Sequence, residues 1–143
     1  MKPLLYLLVS LFIVTPAFGE QWSVEAGFLA DFVTGRYHLI GRQADGDATY
    51  RGRVEIFRNG KTLQIKRTIA GRTVFGSAAI ENTPIAETPV LRLRFKEGAR
   101  AYECTCLIHG DLDNYARISC HIYRQDGSTR QSGLEAWFSI PPQ

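Results

Sequence analysis

The stretch that decides the fold is Thr49–Ile69, which reads TYRGRVEIFRNGKTLQIKRTI. Its even positions from 50 to 56 hold Tyr, Gly, Val and Ile, and the odd positions between them hold Arg, Arg and Glu. A period of two is typical of a β-strand whose two faces differ. Asn59-Gly60 then supplies a dipeptide favoured in two-residue hairpin turns. The stretch therefore predicts an antiparallel hairpin whose second strand is Thr62–Ile69.

The same alternation extends in both directions from this hairpin. Gly35–Arg42 predicts a strand before it, and five further alternating segments follow it, most of them joined by short glycine-containing turns. Eight sequential antiparallel strands can close as an up-and-down barrel, which removes the exposed edges of an open sheet. We therefore predict an all-β fold, an eight-stranded antiparallel up-and-down (calycin-like) barrel, with Trp22–Val33 as a short helix or plug ahead of it.

Strand parity predicts which side chains face the interior of this barrel. In the last strand it places Leu134, Ala136 and Phe138 inside, and Glu135 and Trp137 outside. Small inward residues at positions 52, 76 and 78 are expected to leave space for a cavity. The larger inward residues are the candidates for lining it: Tyr37, Tyr50, Val54, Leu93, Phe95, Tyr102 and Phe138.

The start of the barrel resembles known families. Gly35-Arg36-Tyr37 resembles the G-x-W opening of lipocalins, with Tyr in place of Trp. The stretch from Gly35 through Asp45-Gly46-Asp47 to Gly52 is similar to the first hairpin of small exported calycin-like barrels of bacteria, and the length of the meander is similar to that of avidin-type barrels. The resemblance implies a barrel that binds a small apolar or amphipathic molecule at one mouth, or one that inhibits other proteins.

The first 19 residues are expected to form a cleaved secretory signal peptide. Lys2 gives a positive start, Leu4–Thr15 is almost wholly apolar, and Ala17-Phe18-Gly19 places small residues at the cleavage positions. This apolar run is shorter than the roughly 20 residues that a bilayer span needs. We therefore expect a signal peptide at 1–19, one barrel domain at 20–143, no transmembrane span in the mature chain, and a periplasmic or secreted location.

Three cysteines are an odd number for an oxidising compartment, so at least one is left out of any internal disulfide. If Gly110–Asn114 is a five-residue loop, antiparallel pairing places Cys104 opposite Cys120, whereas a longer loop places Cys106 there instead. We predict a Cys104–Cys120 disulfide with Cys106 free and buried. The alternative is a copper or zinc site made by the three thiolates.

The sequence gives little indication of catalysis, metal or nucleic-acid binding. His109 and His121 occupy odd positions in strands whose cysteines are even, so they are predicted to face away from the thiols. No nucleophile elbow, zinc-protease motif or phosphate-binding glycine loop occurs. The formal net charge of +3 is too small to indicate nucleic-acid binding. We expect no enzyme and no cofactor.

Arginines at alternate positions predict a charged outer face of the barrel. Two functions therefore stay open. In the first, the barrel binds a small apolar or amphipathic ligand. In the second, it acts through its surface as an exported protein-interaction or inhibitor module, for which the contact candidates are Arg51, Arg53, Arg92, Arg94, Asp111, Asp113 and Tyr115.

Overall fold

The computed structural model of the chain describes residues 23–83, 88–108 and 117–142. These residues form one helix and eight strands, and the strands pair in sequence order, all antiparallel, into a closed barrel. The predicted fold class is confirmed. The elements are α1 (Val24–Val33), β1 (Gly35–Arg42), β2 (Thr49–Asn59), β3 (Thr62–Ile69), β4 (Arg72–Asn82), β5 (Pro89–Glu97), β6 (Arg100–Ile108), β7 (Ile118–Arg124) and β8 (Gly133–Ser139). The predicted signal peptide lies outside the described residues.

The hairpin from β2 to β3 turns one residue later than the sequence predicts. Asn59 pairs with Thr62, so the two turn residues are Gly60 and Lys61 rather than Asn59 and Gly60. Gly60 has a φ of +62°. Glycine adopts this left-handed conformation without the steric cost that a Cβ would bring, which makes it the natural first residue of a two-residue hairpin turn.

Strand parity is confirmed for most of the barrel and wrong for β8. In β2, β5, β6 and β7 the predicted inward residues are the buried or half-buried ones. In β8, Glu135 and Trp137 are buried instead, while Leu134 is 41% exposed and Phe138 lies on the outer face opposite His38. Both faces of this strand carry large apolar groups, so hydrophobicity alone did not distinguish them. The burial of Trp137 and the satisfied charge of Glu135 decide the orientation.

The inward glycines mark close backbone contacts and leave no space for a cavity. A methyl group on Gly52 would overlap the carbonyl oxygen of Thr68, and one on Gly76 would overlap that of Arg94. The expectation that Gly52 and Gly76 open a cavity is therefore wrong, and Ala78, the third of these small residues, belongs to the packed core. Glycine is required at positions 52 and 76 because the neighbouring strand occupies the volume that a side chain would need.

The helix closes one end of the barrel. Ser23 caps α1 by accepting a hydrogen bond from the amide of Ala26, and Ala30 and Val33 are fully buried in the core. The Tyr37 hydroxyl of β1 donates to the carbonyl of Val33 over 2.7 Å, which fixes the end of the helix to the barrel. The short helix expected before the barrel is confirmed. The opposite end is framed by the connections at 43–48, 70–71, 98–99 and 125–132.

Candidate ligand cavity at the open end of the barrel

A cavity of about 1000 Å³ lies at the end of the barrel that the helix does not cover. Connections 43–48, 70–71 and 98–99 contribute to its rim. Its volume is at the upper end of the range for sites that hold drug-sized ligands. The apolar and aromatic side chains that line it are Tyr50, Ile69, Val74, Phe95, Tyr102 and Ile122, and the charged ones are Arg67, Arg72, Glu97, Arg100 and Arg124.

Aromatic rings form one wall of this cavity. Phe95 and Tyr102 lie opposite each other on β5 and β6, with their ring centroids 5.6 Å apart in a stacked arrangement. Stacked rings present a flat apolar surface and lose little conformational freedom when a ligand binds. The wall is therefore suited to an apolar or aromatic ligand group.

An ion pair is buried where the cavity reaches the barrel interior. Arg67 on β3 lines the cavity and is 2% exposed, and Glu135 on β8 is 4% exposed. The two terminal nitrogens of Arg67 donate to separate oxygens of Glu135, over 2.9 and 2.6 Å. Such a bidentate pair fixes both side chains in one orientation.

The carboxylate of Glu135 also accepts two further hydrogen bonds. The Tyr50 hydroxyl donates to one oxygen over 2.7 Å, and the indole N–H of Trp137 donates to the other over 2.8 Å. Four donors thus satisfy one buried carboxylate. These four hydrogen bonds offset the free energy that is lost when the carboxylate leaves water. A single ion pair often fails to offset that cost.

One N–H donor of Arg67 makes no hydrogen bond in the described part of the chain. Its guanidinium lies 4.5 Å from the centroid of the Phe95 ring, and its Nε is buried without a hydrogen-bond partner in the described part of the chain. Burial acts to lower the pKa of Arg67, but its neighbours, chiefly the Glu135 carboxylate, together raise that pKa above its usual value, so Arg67 keeps its charge. A buried N–H donor without an acceptor costs about 1–3 kcal/mol. Arg67, in the wall of the cavity, therefore has a buried N–H donor that makes no hydrogen bond to any described residue.

Burial also raises the pKa of the Tyr50 hydroxyl, and the neighbouring Glu135 carboxylate acts in the same direction. Tyr50 consequently remains a neutral hydrogen-bond donor across the physiological pH range. Arg67, Glu135, Tyr50 and Trp137 form a cluster that we call the inner polar cluster. Its formal net charge is zero, because the positive charge of Arg67 and the negative charge of Glu135 cancel.

Two connections at the rim are tied together by Asp45. Its carboxylate accepts hydrogen bonds from the amides of Arg130 and Gln131, each over 2.8 Å, and forms an ion pair with Arg124 over 3.0 Å. These contacts, led by the two amide hydrogen bonds, lower the pKa of Asp45. The rim is therefore held in place by hydrogen bonds that the charged form of Asp45 makes.

The structure places the predicted lining residues in three different environments. Tyr50, Phe95 and Tyr102 line the cavity, so they keep their candidate role. Tyr37, Val54 and Leu93 are no more than 2% exposed and belong to the packed core away from the cavity. Phe138 lies on the outer face, so its predicted role in lining the cavity is wrong.

The predicted Cys104–Cys120 disulfide is wrong. The disulfide joins Cys106 and Cys120, which are directly opposite each other, and Cys104 is the free cysteine. Ile108 pairs with Ile118, so the register differs by two positions from the one that a five-residue loop gives. Cys104 faces the interior and burial raises the pKa of its thiol, so it behaves as a small apolar side chain.

The alternative of a three-thiolate metal site is also wrong, because two of the three sulfurs are bonded to each other. Among the residues that the structure describes, no group of three or more His, Cys, Asp or Glu side chains is arranged to hold a metal ion. His121 lies on the outer face, where its Nδ1 shares a hydrogen bond with Ser132, as parity predicts. His109 lies outside the described residues.

The candidate surface arginines form two groups. Arg51 and Arg53 are exposed on the outer face of β2, whereas Arg92 and Arg94 on β5 are hydrogen-bonded to carboxylates of neighbouring strands. The other surface candidates, Asp111, Asp113 and Tyr115, lie outside the described residues. The outer arginines therefore do not form one continuous surface.

Sequence reasoning missed Arg67 and Glu135, the charged pair of the inner polar cluster. Arg67 occupies an inward position between Ile65 and Ile69, so strict parity would have marked it as a buried charge. Its partner Glu135 does not stand out in the sequence, because the alternation of β8 predicts the opposite face inward. The sequence feature that indicates the pair is the arginine at an inward position of β3. Because a buried charge must be paired, an inward arginine predicts an inward carboxylate on another strand.

Together these features define the class of protein: a closed eight-stranded up-and-down β-barrel with one end covered by a helix and a polar cluster at the inner end of an open cavity. A solved structure described as a de novo designed fluorescence-activating β-barrel is similar to it, with a TM-score of 0.50 and 20% identity over 78% of this chain and 96% of the designed one. At this identity the likeness shows the fold alone. Comparison with protein-family models and with curated protein sequences gives no match.

Within the described ranges, no helix combines the length and the hydropathy that crossing a membrane requires.

Proposed function

We propose that this barrel binds one small amphipathic molecule in its open-end cavity and carries out no chemistry on it. The observation that carries the proposal is the combination of an aromatic wall with a buried cation whose Nε lacks an acceptor. An eight-stranded barrel is just wide enough to hold one small ligand. A ligand with an apolar body and a hydrogen-bond acceptor at one end fits both parts of the site.

The orientation of the ligand follows from the same contacts. Its apolar part would pack between Tyr50, Phe95 and Tyr102, and its acceptor would approach Arg67 at the inner end. Supplying an acceptor to Arg67 Nε would remove the cost of about 1–3 kcal/mol that the unpaired donor carries. Because the pair with Glu135 already neutralises Arg67, the acceptor can be a neutral carbonyl or hydroxyl as well as an anion.

We also propose that the protein acts in the periplasm or outside the cell. The Cys106–Cys120 disulfide supports this proposal, since such bonds form and persist in oxidising compartments. The expected signal peptide points in the same direction.

The test is native mass spectrometry of the purified protein, followed by fluorescence titration with 8-anilinonaphthalene-1-sulfonate, an amphipathic probe. Retained small-molecule mass, or saturable binding at one site per chain, is the expected result. Val74 lines the cavity and Ser77 lies exposed on the outer face of the same strand, so Val74→Trp should abolish binding while Ser77→Trp leaves it intact. Equal binding by the two variants would place the probe elsewhere and contradict the proposal.

A further inference from the structure

The arginines on the outer surface of the barrel differ in whether they form ion pairs. On one side, Arg92 and Arg94 of β5 each form ion pairs with both Glu81 of β4 and Glu103 of β6, at N–O distances of 2.6–3.3 Å. Both of these arginines have a carboxylate on each side. This face is a closed network of its own charges and has little need of an external partner.

The face made by β1, β2 and β3 carries cations without such partners. Its exposed basic side chains are Arg36, His38, Arg51, Arg53 and Lys66, and we call them the basic face. None of them forms an ion pair within the part of the chain that the structure describes. One acidic residue, Glu55 of β2, lies on the same face. It is directly opposite Arg36 of β1 and directly opposite Lys66 of β3.

Strand register brings these basic side chains close together. Arg51 and Arg53 carry like charges two positions apart on the same face of β2, and Arg53 is directly opposite the imidazole of His38. Like charges at neighbouring positions on a sheet destabilise it. A shallow groove of about 460 Å³ is lined by Arg36, His38, Arg53 and Lys66 together with the carboxylate of Glu55, so its basic side chains outnumber its one acidic side chain. The arrangement is unfavourable for the isolated barrel and complementary to a surface that presents many anions.

Exposed aliphatic side chains border the basic face on the side of β8. Ile40 is 58% exposed and lies opposite Arg51, and Leu134 is 41% exposed and lies opposite Arg42. Cations next to exposed apolar side chains are typical of protein surfaces that bind at the boundary between lipid headgroups and acyl chains. Because β8, β1, β2 and β3 are consecutive neighbours in the closed barrel, their outer faces form one side of it.

From these observations we infer that the basic face docks on a bilayer that contains anionic phospholipids. The phosphate groups would lie among Arg36, Arg51, Arg53 and Lys66, and Ile40 and Leu134 would enter the headgroup layer. The cavity opens at the end of the barrel and the basic face lies on its side, so the docked protein keeps its cavity accessible. This inference goes beyond ligand binding and does not depend on it.

The test is cosedimentation of the purified protein with vesicles of phosphatidylcholine alone and of phosphatidylcholine mixed with phosphatidylglycerol. We expect binding to the mixed vesicles only, weakening as salt is added, because screening shortens the range of the attraction. Each cation near an anionic membrane strengthens binding by roughly five-fold. Arg51→Gln/Arg53→Gln should therefore weaken binding roughly 25-fold, and Ile40→Ser should weaken it further when added to that variant.

The matched control is Arg92→Gln/Arg94→Gln, which removes the same net charge from the paired face. It should leave vesicle binding nearly unchanged. Equal loss in the two double variants would show that net charge alone drives binding and would overturn the inference. Binding to phosphatidylcholine vesicles that matches binding to the mixed ones would overturn it too.

Two further outcomes identify a different occupant and reject the bilayer. The first is complete competition by inorganic phosphate, which would assign the groove to a free anion. The second is binding to polyglutamate with none to vesicles, which would assign the face to an acidic protein. Thermal melting of Arg51→Gln/Arg53→Gln provides a separate check, since removing crowded like charges should keep or raise the melting temperature. A marked fall would show that these arginines serve the fold instead.

Discussion

The inner polar cluster predicts a large and specific response to removing Glu135. In the Glu135→Leu variant, Arg67 keeps its charge at 2% exposure but loses the carboxylate that both of its terminal nitrogens contact. Removing one partner of a buried ion pair costs about 3–5 kcal/mol. The indole N–H of Trp137, which is fully buried, loses its acceptor in the same step.

These losses set the size of the expected effect. Adding an unsatisfied indole donor to the unpaired cation gives a destabilisation of at least about 4 kcal/mol. Natural domains have only about 5–15 kcal/mol of stability in total. For a domain of this size the melting temperature falls by about 4 °C per kcal/mol, so we expect a fall of about 15 °C.

Removing both charges should be far less harmful than removing one. In Arg67→Met/Glu135→Leu no buried charge is left and the interior gains apolar groups of similar volume, so the remaining loss should be the roughly 1–3 kcal/mol of the Trp137 indole donor that still lacks its acceptor. Equilibrium urea unfolding of the two single variants and the double variant measures the coupling between the residues.

The control for this cycle is the exposed pair of Asp31 and Arg58, whose side chains are 73% and 36% exposed. Asp31→Asn should cost less than about 1 kcal/mol because solvent screens such pairs. The reasoning would be refuted if Glu135→Leu cost no more than Asp31→Asn. It would also be refuted if the double variant lost the full sum of the two single losses.

Three further predictions follow from other contacts. Without reductant, the folded protein should expose no thiol to Ellman's reagent, and the denatured protein should expose one thiol per chain. The reason is that Cys104 is buried and the other two cysteines form a disulfide. A rapid reaction of the folded protein would contradict this prediction. The carboxylate of Asp45 has a lowered pKa in the folded state, so its contribution to stability is present above pH about 4 and is lost as the pH falls through the lowered value. Urea unfolding from pH 2 to 6 should therefore show a steeper acid loss for the natural protein than for Asp45→Asn, and parallel curves would contradict it. Gly76→Ala should cost about 1–3 kcal/mol because its methyl meets backbone, whereas Gly46→Ala, with open space around it, should be nearly neutral in thermal melting.

Much of the barrel could be predicted from local patterns. Alternation of apolar and polar residues in β2, β5 and β6 gives strand positions and the inward face, because burial of one face requires a period of two. Glycine-containing turns give the order of the hairpins. Each of these signals lies within a few residues of sequence, so no distant partner is needed to interpret it.

The candidate site was predicted only in part. Tyr50, Phe95 and Tyr102 were assigned to the cavity because they are large residues at inward positions. Arg67 was not, since an inward arginine makes sense only beside its anion, and that anion is 68 residues away in the chain. The alternation of β8 misplaced Glu135 because Leu134 and Phe138 on the opposite face are equally apolar.

The cysteines show a similar division. Parity placed all three on inward positions of two adjacent strands, and this is confirmed for β6 and β7. Which two form the disulfide depends on strand register, and register depends on the length of the connection between Ile108 and Ile118. Turn residues within that connection do not fix its length from sequence alone.

The sequence by itself therefore determined the strand count, the hairpin order and the inward face wherever the two faces of a strand differ in hydrophobicity. These features follow from interactions between residues that are near one another in the chain. Only the tertiary structure decided the orientation of β8, the Cys106–Cys120 pairing and the inner polar cluster. The physical reason is that barrel closure brings β3 and β8 around one interior, where Arg67 and Glu135 must neutralise each other to be buried at all.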